Sequence, residues 1–465
     1  MIRSTYLTRS ALGLALALGV AAGTVVPALA KEKPAAPAAA KISPSKPVMA
    51  LYGPMKSAID NAGKRADVVE AKAAIAAAAN AVNAASGKTA RAAARTNYDA
   101  AVKALGDKLT AEKAQLEQFR AAGTTPDDKY AYGQMAFALG KLADDKGLQR
   151  IGLSASVESG KLPPDQAAEF NFFVGALAYD MRDYTASRTA LQAAASAGYT
   201  KNDVEGMLAE AYINDNQPAA GLKILQDAVA KKGAAAPEDW LRRGEVVAYQ
   251  AKLPDQAASF GAQLVRGYPT IQNWALAIAV LRDLSRYPSQ DMIDLLRLMD
   301  RTSSYMEARD YIDYIEAADA RRSPGEVLKV LNAGVASGKL TAGNQTVAEA
   351  RTIATQRLAG DKASLPGLDR DGRAAGATAV VAMAAADAYL SYDQPAKAAE
   401  LYQIALTKPG VDTARALTRL GIAQVDMGQA AAAQATFAKI EGPRKAMALL
   451  WSAYAAGKAA PPAVK

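Results

Sequence analysis

Apolar residues along this chain recur three or four positions apart rather than at every second position, which is the period of helices and not of strands. Between Lys88 and Ala121 the stripe is Tyr98, Val102, Leu105, Leu109, Leu116 and Phe119, broken only by Glu112. This pattern predicts one helical stretch there and another over Ala66–Ala85. Farther along a longer beat sets in. Gly140, Gly175, Ala209, Gly244 and Ile278 stand 35, 34, 35 and 34 residues apart, and Ala386 and Gly421 resume the beat at 35. All but Ile278 are small. A fixed period of this length signals stacked helical hairpins, because one hairpin cannot bury its own apolar face without neighbours. The predicted fold class is therefore all-α: an α-solenoid of helical hairpins, preceded by an N-terminal helical segment.

Composition agrees with this. Hydrophobic residues make up 51% of the chain and aromatics only 6%, alanine dominates, and alternating Val/Ile/Thr runs are almost absent. Alanine and leucine are strong helix formers. At 465 residues the chain exceeds what one compact core usually supports, a limit that a solenoid avoids by growing in one dimension. The predicted organisation is a signal peptide over 1–30, a disordered Pro/Ala/Lys linker over 31–47 and a basic helical region over 48–125. A solenoid over 126–358, a Gly/Asp-rich loop over 359–377, further repeats with a capping helix over 378–458 and a tail over 459–465 complete it. The stripe in 88–121 fits either a hairpin packed on the first repeat or a coiled-coil dimer seam.

The first thirty residues read as an export signal. Arg3 and Arg9 form a basic start, Ala11 to Val26 an apolar run, and Ala28-Leu29-Ala30 a small-x-small cleavage site behind Pro27. The expected location is the periplasm, or outside the cell, after cleavage near Ala30. No cysteine follows the apolar run, and no later stretch reaches about 18 apolar residues free of charge, so a soluble product is expected. With no cysteine at all, stability rests on packing.

Charge is unevenly placed. Residues 31–125 carry 15 Lys/Arg against 8 Asp/Glu, whereas residues 126–465 carry 38 of each. The basic surplus suits an anionic membrane surface or cell-wall polymer, and equally a plain solvated helical face.

In the repeat region the residues resemble the tetratricopeptide repeat family, whose 34-residue hairpin places Trp, Leu, Gly and Tyr in its first helix, Ala, Phe and Ala in its second, and Pro at its close. Leu417, Leu420, Gly421, Ala433 and Phe437 sit at the family spacings, as do Tyr389, Ala398, Tyr402 and Ala405. Upstream, Gly175, Tyr184, Leu191 and Ala194 match, and so do Ala209, Tyr212, Gly221, Leu225 and Ala228. Trp240 and Gly244 match a first helix whose second helix, Pro254 to Arg266, looks one residue out of step, with Ala257 as its small contact. Trp274 repeats Trp240, but its unit lacks the small residues. Met292 to Val335 keeps hairpins without landmarks, and the last helix, Arg444 to Gly457, is expected to cap an open end.

Much chemistry can be set aside. The chain has no histidine, so Ser-His-Asp, Cys-His and His-metal sites are impossible. A lytic transglycosylase, the rival built on carboxylates, lacks its signature: Glu158-Ser159-Gly160 has no Gly-Leu-Met-Gln run after it. Ser159-Gly160-Lys161-Leu162 and Ser337-Gly338-Lys339-Leu340 lack the upstream glycine of a phosphate loop and read as helix C-caps. Asp369-Arg370-Asp371-Gly372 lacks the outer ligands of a calcium loop. No catalytic residue, cofactor, metal, nucleic acid or small-molecule substrate is expected.

The resemblance implies that first helices line a groove. Its groove-facing positions in three consecutive units are Glu169, Phe172, Ala176, Tyr179, Asp180; Asp203, Gly206, Glu210, Ile213, Asn214; and Glu238, Leu241, Glu245, Ala248, Tyr249. Six of these are acidic and none is basic, which implies a groove for a basic or polar peptide. The family's Lys/Asn clamp for chain ends is absent, since Phe172, Gly206 and Leu241 replace its cation. Tyr179, Glu210, Asn214 and Glu245 are the candidate partner contacts, with envelope proteins as the expected partners. The alternative is a cell-wall or membrane tether acting through residues 48–125.

Overall fold

The structure, a computed structural model, describes residues 42–459. The predicted export signal and the residues from 460 onward lie outside the described residues, as does the linker up to residue 41; its expected end over 42–47 is not a disordered tether, since Ser45 is hydrogen-bonded to Asp128 and Lys46 and Pro47 already belong to the first helix. The described chain is helical without strands, and it divides into two compact units that meet between residues 224 and 225, so that the described part of the first is 42–224 and of the second 225–459.

The first unit opens with α1 (Lys46–Ala62), α2 (Ala66–Ala84), α3 (Lys88–Lys108) and α4 (Thr110–Ala122). The single helix expected over 88–121 is two helices, parted at Leu109, whose backbone leaves the helical region at φ −105° and ψ 21°. Its stripe is not a dimer seam. Leu105, Leu109, Leu116 and Phe119 are buried with Val48, Met55 and Ile59 of α1 and with Met135 and Leu139 of α5 (Pro126–Leu142). The break in the stripe is equally internal, because the buried Glu112 carboxylate accepts from Arg65 Nη1 at 2.9 Å.

Asp128 ties the two ends of this core together. Its carboxylate accepts from the backbone N–H groups of Thr124 and Thr125, both at 3.0 Å, and from that of Ser45, 83 residues away, at 2.7 Å. Thr125 returns a capping-box bond to α5. Burial works against the Asp128 charge, but these N–H donors outweigh it and hold the carboxyl down at about 2.

Hairpins follow: α5 with α6 (Lys146–Glu158), α7 (Pro164–Asp180) with α8 (Tyr184–Ser196), and α9 (Val204–Asn214) with α10 (Pro218–Lys232), in which the division between units falls. Small residues set the approach of each pair. A Cβ on Gly175 would lie 2.5 Å from Leu191, sixteen residues on, as the tetratricopeptide resemblance implies. Gly140 is out of register with the other landmarks. The left-handed turn residue follows it by four positions, at Asp144, whereas Arg182, Asn216, Lys252, Arg286 and Asp393 follow their landmarks by seven or eight. In that hairpin three glycines share the crossing. A Cβ on Gly133 would meet Ser156, one on Gly152 would stand 2.4 Å from the Phe137 backbone nitrogen, and one on Gly140 2.6 Å from that of Gln149.

The second unit continues with α11 (Glu238–Gln250), α12 (Pro254–Gly267), α13 (Ile271–Ser285), α14 (Ser289–Arg301), α15 (Ala308–Ala318), α16 (Pro324–Ala336), α17 (Gln345–Arg373), α18 (Ala379–Ser391), α19 (Pro395–Leu406), α20 (Thr413–Asp426), α21 (Ala430–Phe437) and α22 (Lys445–Ala459). Phe260 packs on Gly244 sixteen residues before it, so α12 keeps the repeat register despite its displaced small residues. Phe437 meets Gly421 in the same way.

Two expectations fail here. Residues 359–377 are not a loop breaking the array: α17 runs through Pro366 to Arg373. Tertiary packing overrides the weak propensity of Gly360, Pro366 and Gly367. Leu365 is buried, the Tyr389 hydroxyl donates to the Leu365 carbonyl at 3.1 Å, and a Cβ on Gly372 would sit 2.9 Å from Ala385. Nor does the last helix cap an open end. α22 packs back on α12 as well as on α21, so the succession of helix contacts closes into a circuit. Trp451 on α22 is fully buried and donates its indole N–H to the Asp294 carbonyl at 2.9 Å.

A buried ionic network fastens the closure. The Asp294 carboxylate accepts from Arg297 Nη1 at 3.1 Å, Arg419 Nε at 3.0 Å and Arg444 Nη1 at 3.0 Å. Burial alone would raise its pKa; the guanidiniums, Arg419 foremost, hold it below the usual carboxylate value instead. Arg297 grips Glu326 through Nε and Nη2, both at 2.8 Å, and Tyr314 donates to the same carboxylate at 2.7 Å. Arg419 Nη1 reaches Asp387 at 2.6 Å.

Candidate functional site

Three of the four candidate contacts meet in the first unit. Asn214, in the last turn of α9, donates its Nδ2 to the Tyr179 hydroxyl of α7 at 2.9 Å, to the Glu210 carbonyl at 2.8 Å and to Glu210 Oε2 at 3.3 Å. All three residues are half-buried. The group is a polar clasp between the first helices of two successive hairpins, and it leaves part of each side chain at the surface.

Glu245 is not with them. It belongs to the second unit and is only 1% exposed, so it cannot meet a partner directly. Its carboxyl lies against Gly261, and Oε2 has no hydrogen-bond partner. Burial pushes its pKa up to about 8, against a small opposing pull from Arg242. A groove-facing position on one helix becomes interior here because α12 and α13 close over it.

The expected acidic lining is largely engaged as well. Asp180 pairs with Lys146, Asp203 caps α9 through the Gly206 N–H, and Glu238 holds Asn273 at 2.9 Å and Arg242 at 2.8 Å. A partner would meet little free negative charge at these positions.

The second unit carries a surface cleft of about 550 Å³ between α13, the start of α14 and α15. Arg282, Asp283, Arg286, Arg309, Asp313 and Glu316 supply its polar wall, and Ala279, Met292 and Ala317 its apolar part. Arg282 is held by Asp310 at 3.2 Å and Asp313 at 3.1 Å, while Asp283 accepts from the Tyr249 hydroxyl at 2.8 Å. Arg309 stands 3.6 Å from Asp313, and Arg286 and Glu316 are exposed with no ion pair among the described residues. The cleft can therefore offer unengaged charges of both signs beside a small apolar floor.

Sequence reasoning missed this place, although its signal was there. Ala279, Arg282 and Asp283 follow Ile278 by the same one, four and five positions at which Ala176, Tyr179 and Asp180 follow Gly175. The unit of Trp274 hides it, because Ile278 stands where the repeat pattern has a small residue. Among the described residues, no group of three or more His, Cys, Asp or Glu is arranged to hold a metal ion, and no helix is long and apolar enough to cross a membrane.

These features define the class: an all-α protein of solenoid-type helical hairpins, with polar surface sites on its first helices. No protein-family model matches the chain, and no curated protein matches its sequence. Among solved structures it is similar to one described as a crystal structure of the APC/C hetero-tetramer Cut9-Hcn1, at 10% identity, over 78% of this chain and 85% of that chain. The TM-score is 0.17, so the likeness adds nothing to the fold derived above.

Proposed function

We propose that this chain is a non-enzymatic protein-interaction scaffold of the bacterial cell envelope, which holds a segment of a partner along the first helices of its hairpins. The observation that carries the reading is the cleft between α13 and α15, where groove positions of one hairpin line a surface recess with unengaged charges. Binding through backbone-spaced polar groups on a rigid helical frame suits a peptide segment better than a small molecule. The envelope setting rests on the export pattern of residues 1–30. The test is photo-crosslinking in cells from Tyr179, Glu210, Arg286 and Glu316, with exposed Lys223 as the outward control. A discrete protein adduct from cleft or clasp sites, missing from Lys223, is expected. Equal labelling from every site, or none, would sink the reading.

A second reading is favoured by one observation, the 15 basic against 8 acidic residues over 31–125. On this reading the N-terminal helices attach the protein to an anionic envelope surface.

A further inference from the structure

The N-terminal charge is concentrated where the fold has least support. Helices α2 and α3 pair into a hairpin whose base joins the core of the first unit through Val68, Ile75 and Leu105. From residue 76 to residue 97 no side chain is buried. This outer half contains only alanine and small polar residues besides Val82 and its cations, so it stands clear of the core as a slender prong. Lys88, Arg91 and Arg95 are exposed on it and Lys72 is exposed at its base, and no carboxylate occurs between residues 71 and 98. Arg91 donates to the Ala85 carbonyl at 3.3 Å, which pins one guanidinium beside the turn. Arg95 stacks on Tyr98 and reaches Asp99 at 3.2 Å, at the inner limit of the acid-free stretch.

We infer that this prong is a docking element for a flexible linear polyanion, a chain of phosphates or carboxylates free to run along its sides. The inference rests on the second reading above and names its partner and place. A second copy of the chain is a poor occupant, since two such prongs would bring like charges together. A flat bilayer is also a poor fit. At 1.5 Å per residue, Arg95 lies about 12 Å and Lys72 about 20 Å from the turn. A surface touched end-on therefore lies beyond the roughly 8 Å screening length for both, and feels only Lys88 and Arg91. Nor is there a large exposed apolar side chain at the tip to enter the bilayer. A flexible chain, by contrast, can follow the cations along both helices and release its counterions to all four.

The test uses the full chain with inorganic polyphosphate as the probe and phosphatidylglycerol vesicles as the rival surface. Polyphosphate should bind with an affinity that falls with salt at a log–log slope of about −3, as four neutralised charges imply. The triple variant Lys88→Glu, Arg91→Glu, Arg95→Glu should lose more than about tenfold in affinity. A control triple off the prong, Lys201→Glu, Arg322→Glu, Lys439→Glu, makes the same change in net charge and should lose less than about threefold. The alanine triple at 88, 91 and 95, with unchanged helical circular dichroism, should give an intermediate loss and guards against misfolding. Equal loss in both charge-reversal triples would overturn the prong while leaving the tether reading standing. Absence of polyphosphate binding would overturn both. Prong-dependent binding to vesicles in preference to polyphosphate would overturn the choice of a free chain.

Discussion

The two units are made of the same hairpins but are held together by different kinds of contact. In the first, polar ties between the repeat hairpins from α5 onward join neighbours about one repeat apart, as Arg150 to Asp183 at 2.6 Å and Asn214 to Tyr179 at 2.9 Å do, and these are partly exposed. In the second, the ties that matter span most of the unit: Arg419 to Asp294 crosses 125 residues and Arg444 to Asp294 crosses 150. A stack in which each hairpin touches only its neighbours is stabilised repeat by repeat. A closed circuit concentrates its dependence on the groups that close it.

That difference predicts the largest effect. Asp294→Ala leaves three buried guanidiniums short of one acceptor, and breaking a buried ionic group by removing one partner costs about 3–5 kcal/mol. Arg150→Ala, in the half-exposed pair of the first unit, should cost less than about 1 kcal/mol. Urea unfolding measures both. Trp240, Trp274 and Trp451 all lie in the second unit, so tryptophan fluorescence follows it specifically, and far-ultraviolet circular dichroism follows the helices as a whole. If Asp294→Ala costs no more than Arg150→Ala, the closure is not held by its charges, and apolar packing around Trp451 and Phe437 carries it instead.

The same contrast explains what was legible in the sequence. Period and small-to-large spacing are local properties, so the hairpins and the pairs Gly175–Leu191, Gly244–Phe260 and Gly421–Phe437 could be read directly. The closure could not, because nothing in a periodic pattern links Asp294 to residues 125 and 150 positions away. The helix through Pro366 was hidden for a related reason: its residues are poor helix formers and are held by Ala385, Tyr389 and Tyr392 from a later hairpin. Gly140 misled because Gly133 and Gly152 share its crossing, which leaves the register ambiguous by sequence alone. Among the candidate contacts, Tyr179, Glu210 and Asn214 lie together as the spacing rule implies. Glu245 fails because the rule assigns a helix face but does not say whether later helices cover it.

Glu245 also marks an exception within the second unit, and testing it sharpens the comparison. Elsewhere in that interior, acids have cations: Asp387, one residue after the landmark Ala386, meets Arg419, which lies 32 positions farther on. Glu245, one residue after Gly244, has Ala277 at the corresponding place. Its folded pKa of about 8 is above the ordinary carboxylate value, so the folded state holds a proton that the unfolded chain gives up. The protein's stability from this group is complete below the unfolded value of about 4.3 and is lost progressively as the pH rises to about 8, then stays level. Glu245→Gln removes that dependence. Melts by tryptophan fluorescence should show the variant matching the parent near pH 4 and exceeding it by about 3–5 kcal/mol at pH 9. A difference that does not change with pH would mean that the carboxyl is solvated and not alone.

The smallest effect separates the units by how their helices approach. A Cβ on Gly152 in the first unit would stand 2.4 Å from the Phe137 nitrogen and 2.7 Å from the Gly133 carbonyl, both backbone atoms of the facing helix. A Cβ on Gly421 in the second unit would stand 2.3 Å from the Phe437 ring. A ring can turn or shift by a few tenths of an ångström, whereas facing helix backbone yields only if the whole helix moves. Gly152→Ala should therefore cost about 2–3 kcal/mol, net of alanine's better helix propensity, and Gly421→Ala about 1 kcal/mol. Circular dichroism melts measure the first and tryptophan fluorescence, through neighbouring Trp451, the second. Should Gly421→Ala prove the costlier change, the tightest packing in the molecule lies in the closed unit, and its aromatic layer rather than its charges sets the limit on sequence change.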